Sequence, residues 1–336
     1  MEQLQVIVHP KPKKGSSKES ARKDRQVARD ITYAGSAQTR RGRALIRVME
    51  NVTGRLSLIK RAEGYSKDLE NGKTIWQVMV SRYGLELDVL EGALENIPRE
   101  GPLIVVSNHP YGILDGLMMG HMLSVTRGDF RILANTVFKQ AEDIDRVILP
   151  VSFDATKEAV QLNLETRKVA LEYLADGGCI GIFPGGTVST SATPMGKPLD
   201  PSWRAFTAKM VAKSGAQVVP IFFEGSNSRL FQLASHLHSS LRTGLLIREF
   251  RNRIDEPVRV VIGEPIAPEE LEPFRKDPKL MMDFLRKRTY ALSPNPIDNL
   301  TLGFEFEAKH GATPRTLFGA PLKRFRVSQK GQKDRY

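Results

Sequence analysis

The sequence predicts an α/β protein, with a mixed central sheet covered by helices and an amphipathic helical element ahead of it. Three observations carry that prediction. Between residues 98 and 292, short apolar runs alternate with longer segments of helical spacing. Two of the apolar runs, at residues 103–106 and 179–183, stop abruptly in turns that hold proline and glycine. Residues 41–61 place Leu45, Val48, Met49, Val52, Leu56 and Ile59 on one helical face. The chain's 336 residues, 40% of them hydrophobic, suffice for one large core with additions.

The chain divides by charge as well as by pattern. The net charge of +12 sits at the ends: residues 1–47 carry +8 and residues 313–336 carry +6, so the middle is nearly neutral. Residues 1–40 read as a basic flexible tail, 41–90 as membrane-associating helices, 91–292 as the α/β domain and 293–336 as a basic C-terminal extension. Basic ends suit a polyanion, either nucleic acid or an anionic membrane face, where each cation is worth up to about 1 kcal/mol. The neutral middle and the lack of interleaved aromatics in the N-terminal tail argue against nucleic acid. In residues 41–61 the apolar face is flanked by Arg41, Arg43, Arg47, Arg55, Lys60 and Arg61, as in an interfacial helix; burial of that face against the protein's own core fits the pattern equally. Residues 75–87, with Trp76 and Tyr83, form a second short apolar segment.

The later elements follow in order. Strands are expected at 103–107, 130–134, 147–151, 179–183, 218–223 and 258–262. Helices are expected at 113–125, 157–175, 202–213 (Pro201 before it, Gly215 after) and 268–292. Excluded classes help to narrow the function. The single cysteine, Cys179, lies in an apolar run and reads as a packed thiol, so neither a disulfide framework nor a CxxC zinc site can form within the chain. No metal motif, G-x-S-x-G elbow or G-x-G-x-x-G loop is present, and Lys67 spoils the P-loop-like Asn71-Gly72-Lys73-Thr74. No run of about 18 apolar residues occurs, and the N-terminus lacks the order of a signal peptide, so a cytoplasmic protein that can adhere to a membrane surface is expected.

The chemistry concentrates in two turns. In VVSNHPYGILDG, residues 105–116, a strand ends at Asn108, His109 is displayed, Gly112 turns the chain and Asp115 falls in the first turn of a helix. His109 is the strong general-base candidate. In IFPGGTVST, residues 182–190, Gly185 and Gly186 allow a ligand to approach the backbone, while Thr187, Ser189 and Thr190 offer hydroxyls. Two such turns face one pocket if their strands end on the same sheet edge.

These blocks resemble those of the PlsC-type glycerolipid and lysophospholipid acyltransferases. The resemblance rests on Asn108-His109…Asp115, then Phe183-Pro184-Gly185-Gly186-Thr187, then Val218-Val219-Pro220-Ile221, and covers about residues 73–290. Five residues, not the family's usual four, separate His109 from Asp115; the hemolysin-like bacterial branch, which includes O-acyltransferases of ornithine and related aminolipids, carries this form. The third block usually has glutamate at the position of Gly185 and arginine at that of Val188, and there helps to hold a glycerol phosphate.

The resemblance implies a glycerolipid acyltransferase-like fold with an N-terminal helical pair resting on the membrane. It implies His109 as general base, Asp115 as its orienting acid, and Asn108, Gly112, Phe183, Pro184, Gly185, Gly186, Thr187 and Ser189 around the substrate. Arg204 or Arg229 is then a candidate substitute cation. The implied acceptor is a lyso-aminolipid of ornithine-lipid type, the donor an acyl-carrier protein or coenzyme A thioester, and the place the cytoplasmic face of the cell membrane, with no metal or bound cofactor. Three alternatives stay open: a lysophosphatidate acyltransferase, a lipid or thioester hydrolase using the same pair, and a non-enzymatic membrane or nucleic-acid binder.

Overall fold

A strand apolar at every position must be buried on both faces, and that places it inside a sheet. Residues Leu103–Ser107 show the split: Leu103 and Val105 enter one hydrophobic cluster, Ile104 and Val106 another. The structure, a computed structural model, describes residues 31–37, 39–135, 142–152, 156–298 and 301–305. Its strands are β1 (Glu86–Glu91), β2 (Leu103–Ser107), β3 (Arg131–Asn135), β4 (Ile148–Val151), β5 (Cys179–Ile182), β6 (Thr190–Ser191), β7 (Pro198–Leu199), β8 (Gln217–Phe223) and β9 (Pro257–Ile262). Seven of them form a sheet in the order β1-β9-β8-β2-β5-β3-β4, and β6 and β7 form a separate hairpin. The five strands from β8 to β4 run parallel. The edge pair runs against them: β9 is antiparallel to β8, and β1 follows β9.

The helices are α1 (Arg40–Thr53), α2 (Arg55–Ala62), α3 (Tyr65–Glu70), α4 (Ile75–Arg82), α5 (Ile113–Thr126), α6 (Glu142–Asp145), α7 (Lys157–Ala175), α8 (Ala205–Ser214), α9 (Arg229–Leu237), α10 (Ser239–Arg251), α11 (Pro268–Leu271) and α12 (Pro278–Tyr290). One face of the sheet is covered by α4, α5 and α10 through Trp76, Leu117, Met118, Ile247 and Phe250. The other is covered by α7, α8 and α12 through Leu174, Met210, Val211, Met281 and Leu285. This layered arrangement matches the predicted mixed α/β class.

Local chemistry explains where the structure departs from the sequence-based elements. The expected helix at 41–61 is two helices. Gly54, at φ 141°, breaks it, and a Cβ there would lie 2.2 Å from Arg251 Cδ. The expected helix at 202–213 begins only at Ala205, because the Trp203 indole and the Arg204 N–H are bonded to Asp200 and to the Pro184 carbonyl. The expected final helix at 268–292 is α11, a 3-10 turn at Glu272–Phe274 and α12. Pro273 and Pro278 lack the N–H a continuous helix would need, and Asp277 caps the last piece. Strand β1 and helices α9 and α10 were not anticipated. The tail residues 1–30 and 306–336 lie outside the described residues.

The amphipathic element is divided between core and solvent. Ile46, Glu50 and Leu58 face inward, and Glu50 accepts from Thr32 Oγ1 and from the Tyr33 N–H, each at 2.6 Å. The predicted apolar face is largely outward: Leu45, Val48, Val52 and Leu56 are 44–81% exposed, while Met49 packs beside Leu245. Two of the predicted flanking cations are corrected. Arg55 is buried and donates to the Ile31 carbonyl and to Asn51 Oδ1, and Arg61 forms a two-pronged ion pair with Asp255. Among the described residues no helix is long and apolar enough to cross a membrane. Farther along, the Gly303 N–H donates to the Asp200 carbonyl and the Phe304 N–H to that of Thr190, which ties residues 303–304 to the β6–β7 hairpin.

Helix α5 sits on α4 through a glycine: a Cβ on Gly120 would lie 2.2 Å from the Trp76 ring. Gly120→Ala should therefore destabilise the protein by about 1–3 kcal/mol. A urea titration should show a lower midpoint at unchanged slope.

Candidate active site

Parallel strands that neighbour one another end on the same edge, and β2, β5 and β8 are such neighbours. The turns after β2 and β5 therefore meet, as the two chemically suggestive stretches require. Asn108 joins the first turn to β8. Its amide donates to the Phe223 carbonyl at 2.9 Å and accepts from the Phe223 N–H at 2.7 Å, using both ends of one side chain on one residue. The role of Asn108 is thus to anchor the loop.

Gly112 adopts φ 90°, ψ −116°, which a side chain would disfavour, and so turns the chain into α5. That turn brings Asp115 back under His109. Asp115 is wholly buried, and its Oδ2 accepts from the N–H groups of Tyr111 and Gly112 at 2.9 Å each. His109 Nδ1 lies 3.0 Å from the same oxygen, and among the described residues Asp115 Oδ1 has no hydrogen-bond partner. Burial pushes the Asp115 carboxyl above its ordinary range, while His109 and the two backbone N–H groups pull it back. The His109 side chain keeps 19% of its surface against none for Asp115, so one edge of the ring is reachable from solvent. Among the described residues no protein group bonds Nε2.

The second turn covers the imidazole. Phe183 stacks on it with centroids 4.3 Å apart at 27°. The Gly186 N–H closes the turn onto the Phe183 carbonyl, with Gly186 at φ 69°, and the Ser189 N–H donates to the His109 carbonyl at 2.8 Å. Two charged residues absent from the sequence-based list hold this turn. Arg242, buried on α10, donates to Thr187 Oγ1, the Val188 carbonyl, Thr190 Oγ1 and Ser235 Oγ. Asp200, also buried, accepts from Ser189 Oγ, from the His109 N–H and from Trp203 Nε1.

The structure thus brings Asn108, His109, Gly112, Asp115, Phe183, Pro184, Gly185, Gly186, Thr187 and Ser189 into one constellation. The two candidate cations are placed differently. Arg204 lies beside the Pro184 turn, with its guanidinium 3.4 Å from Glu305. Arg229 begins α9 and donates to the Gly196 carbonyl. The guanidinium that reaches the glycine turn is that of Arg242. No local signal marks it, since it is one arginine among many on an unanticipated helix.

An imidazole backed by a buried carboxylate and open on its far side can accept a proton from a bound nucleophile. A family model described as "Acyltransferase" matches residues 74–299, about two thirds of the chain. The chain belongs to this acyltransferase family. It is 26% identical over 206 residues to the lyso-glycine lipid O-acyltransferase of Phocaeicola vulgatus, a match covering 59% of this chain and 71% of that one. The lyso-glycine lipid O-acyltransferase of Bacteroides thetaiotaomicron is 26% identical over 217 residues, covering 62% and 76%. A solved structure, that of the 1-acyl-sn-glycerophosphate (LPA) acyltransferase PlsC from Thermotoga maritima, aligns over 83% of this chain and 97% of its own at 18% identity, with a TM-score of 0.39.

The burial of Asp115 has a pH signature. A carboxyl whose folded-state pKa is raised contributes stability below its ordinary value near 4, and that stability is lost as pH rises through the raised value. Asp115→Asn keeps an oxygen for the Tyr111 and Gly112 N–H groups and removes the buried charge. Its melting temperature should match the wild type in acid and gain on it as pH rises above about 4, as read by melting curves of both proteins over a pH series.

Proposed function

We propose that this acyltransferase moves a fatty acyl group from a thioester to the free hydroxyl of a lyso-aminolipid. The observation that carries the reading is the His109 ring, set between buried Asp115 and stacked Phe183 with Nε2 uncommitted. The names of the two relatives, both lyso-glycine lipid O-acyltransferases, support an acceptor with an amino-acid headgroup over a glycerol phosphate. So does the third block, where Gly185 and Val188 replace the charged pair usual in the family.

In this mechanism Nε2 takes the hydroxyl proton as the lipid oxygen attacks the thioester carbonyl carbon. Asp115 holds the ring and stabilises its charged form. The tetrahedral oxyanion needs N–H donors. Those of Tyr111 and Gly112 are occupied by Asp115 and that of Gly186 by Phe183, which leaves Gly185, Thr187 and Val188 in the glycine turn as candidates. Collapse breaks the C–S bond, and the departing thiolate takes the proton back from the imidazolium. The thioester is that of acyl-carrier protein or coenzyme A, and the chemistry calls for no metal or bound cofactor.

We assign the outward face of α1 and α2 to the membrane, as a peripheral contact at the cytoplasmic face. Leu45, Val48, Val52 and Leu56 give it apolar depth, and exposed Arg41 and Arg43 suit anionic headgroups. Through Met49 and Leu246, both packed on the cluster that holds Val188, this face is mechanically joined to the glycine turn.

Two outcomes are expected. In folded protein, His109→Ala should lower transfer of labelled palmitate from palmitoyl-coenzyme A or palmitoyl-acyl-carrier protein to lyso-glycine lipid by about 10²–10⁴-fold; full activity in that variant would end the mechanism. Val52→Glu should weaken sedimentation with phosphatidylglycerol vesicles while leaving turnover in detergent micelles near wild type. Binding equal to the wild type would remove α1 from the membrane contact.

A further inference from the structure

Gly185 has no backbone reason to be glycine. Its φ is not positive, unlike that of Gly186 beside it. What crowds a side chain there is Asp200: a Cβ on Gly185 would lie 3.3 Å from the Asp200 Cγ and Oδ2 atoms. Asp200 itself is fully buried at the end of β7, fifteen positions along the chain, and its carboxylate takes three donors. Oδ1 accepts from Ser189 Oγ and, at 3.2 Å, from the His109 N–H; Oδ2 accepts from Trp203 Nε1 at 2.9 Å. Its backbone is fixed as firmly. The Asp200 N–H donates to the Tyr290 phenol at 2.7 Å, and its carbonyl accepts from Arg286 and from the Gly303 N–H.

We propose that Asp200, the residue after β7, is a positioning residue for acyl transfer that locks the His109 backbone to the glycine turn. The inference rests on His109 being the base. The His109 N–H is held by Asp200 and its carbonyl by the Ser189 N–H, while Ser189 Oγ is itself bonded to Asp200. The three residues close a ring of hydrogen bonds behind the imidazole. With both backbone groups of His109 tied, only the side-chain torsions remain, and Asp115 and Phe183 fix those. Asp200 touches neither substrate nor the reacting ring nitrogen in this scheme. It acts through the placing of His109, and a displacement of about 1 Å at a catalytic group can cost about 100-fold in rate.

The position of Gly185 supplies the rescue. A Cβ built there comes within 3.3 Å of the Asp200 carboxylate, so an acid at 185 can reach the space that Asp200→Ala empties. The full-length chain is compared as Asp200→Ala, Asp200→Asn, Gly185→Asp and the double variant Asp200→Ala/Gly185→Asp, in the palmitate-transfer assay with His109→Ala alongside. Asp200→Ala should lose about 10–100-fold in kcat with KM for both substrates within about twofold. Asp200→Asn, which keeps an acceptor oxygen but cannot serve Trp203 as well, should fall between it and the wild type. Gly185→Asp alone should lose activity by crowding, and added to Asp200→Ala it should raise kcat at least about threefold over that single variant. The inference is overturned if folded Asp200→Ala keeps wild-type kcat, if its loss appears in KM alone, or if the double variant is no better than the single. Should Asp200→Ala fail to fold, Asp200→Asn at an intact melting temperature decides: reduced kcat supports the inference and wild-type kcat overturns it. An active His109→Ala would remove the base assignment itself, whereas an inactive His109→Ala beside a fully active Asp200→Ala would remove only the role of Asp200.

Discussion

One side chain joins the two halves of the site. Asn108 satisfies both backbone groups of Phe223, so the end of β2 cannot move independently of the end of β8. Hydrogen bonds of this kind, buried and with no water to replace them, leave unsatisfied groups on both sides when broken. Everything downstream depends on that join. His109 is the next residue, and the direction in which the chain leaves β2 decides where its ring lies. The sheet supplies position, and the Asn108–Phe223 contact converts position into orientation.

The second constraint is electrostatic. A wholly buried carboxylate is costly, and Asp115 offsets the cost with two backbone N–H groups of its own turn and the edge of an imidazole. Gly112 makes this possible by turning the chain back within three residues of Asp115. The five-residue spacing between His109 and Asp115 is therefore not a slack version of a shorter motif. Within it Tyr111 and Gly112 both donate to one oxygen, while the Tyr111 hydroxyl donates to the Glu224 carbonyl and its ring lies under Arg253.

Much of this was readable in the chain itself. The apolar runs at β2, β5 and β8, and the breaks that end them, marked the inner strands of an α/β sheet, because a strand apolar at every position is buried on both faces. His109, Asp115 and the glycine turn were legible because they are close in sequence and each changes the local backbone. Asp200, Arg242 and the paired helices α9 and α10 were not. The residues of the two turns that Asp200 and Arg242 hold lie 11 to 91 positions away, and a buried aspartate or arginine carries no periodicity of its own. The outward face of α1 was visible as a stripe. Its direction is not written in the stripe: Ile46 and Glu50 occupy the inner side of α1, and the stripe points away from the core.

Residues 303 and 304 lie close to the centre of the molecule's chemistry, although they come after the last helix. Through the Asp200 and Thr190 carbonyls they brace the hairpin from which the Ser189 and Asp200 contacts are made, and a Cβ on Gly303 would lie 1.8 Å from the Leu199 oxygen. A recombinant version trimmed after Tyr290 to give a tidy minimal unit would thus lose the strut behind its own catalytic loop.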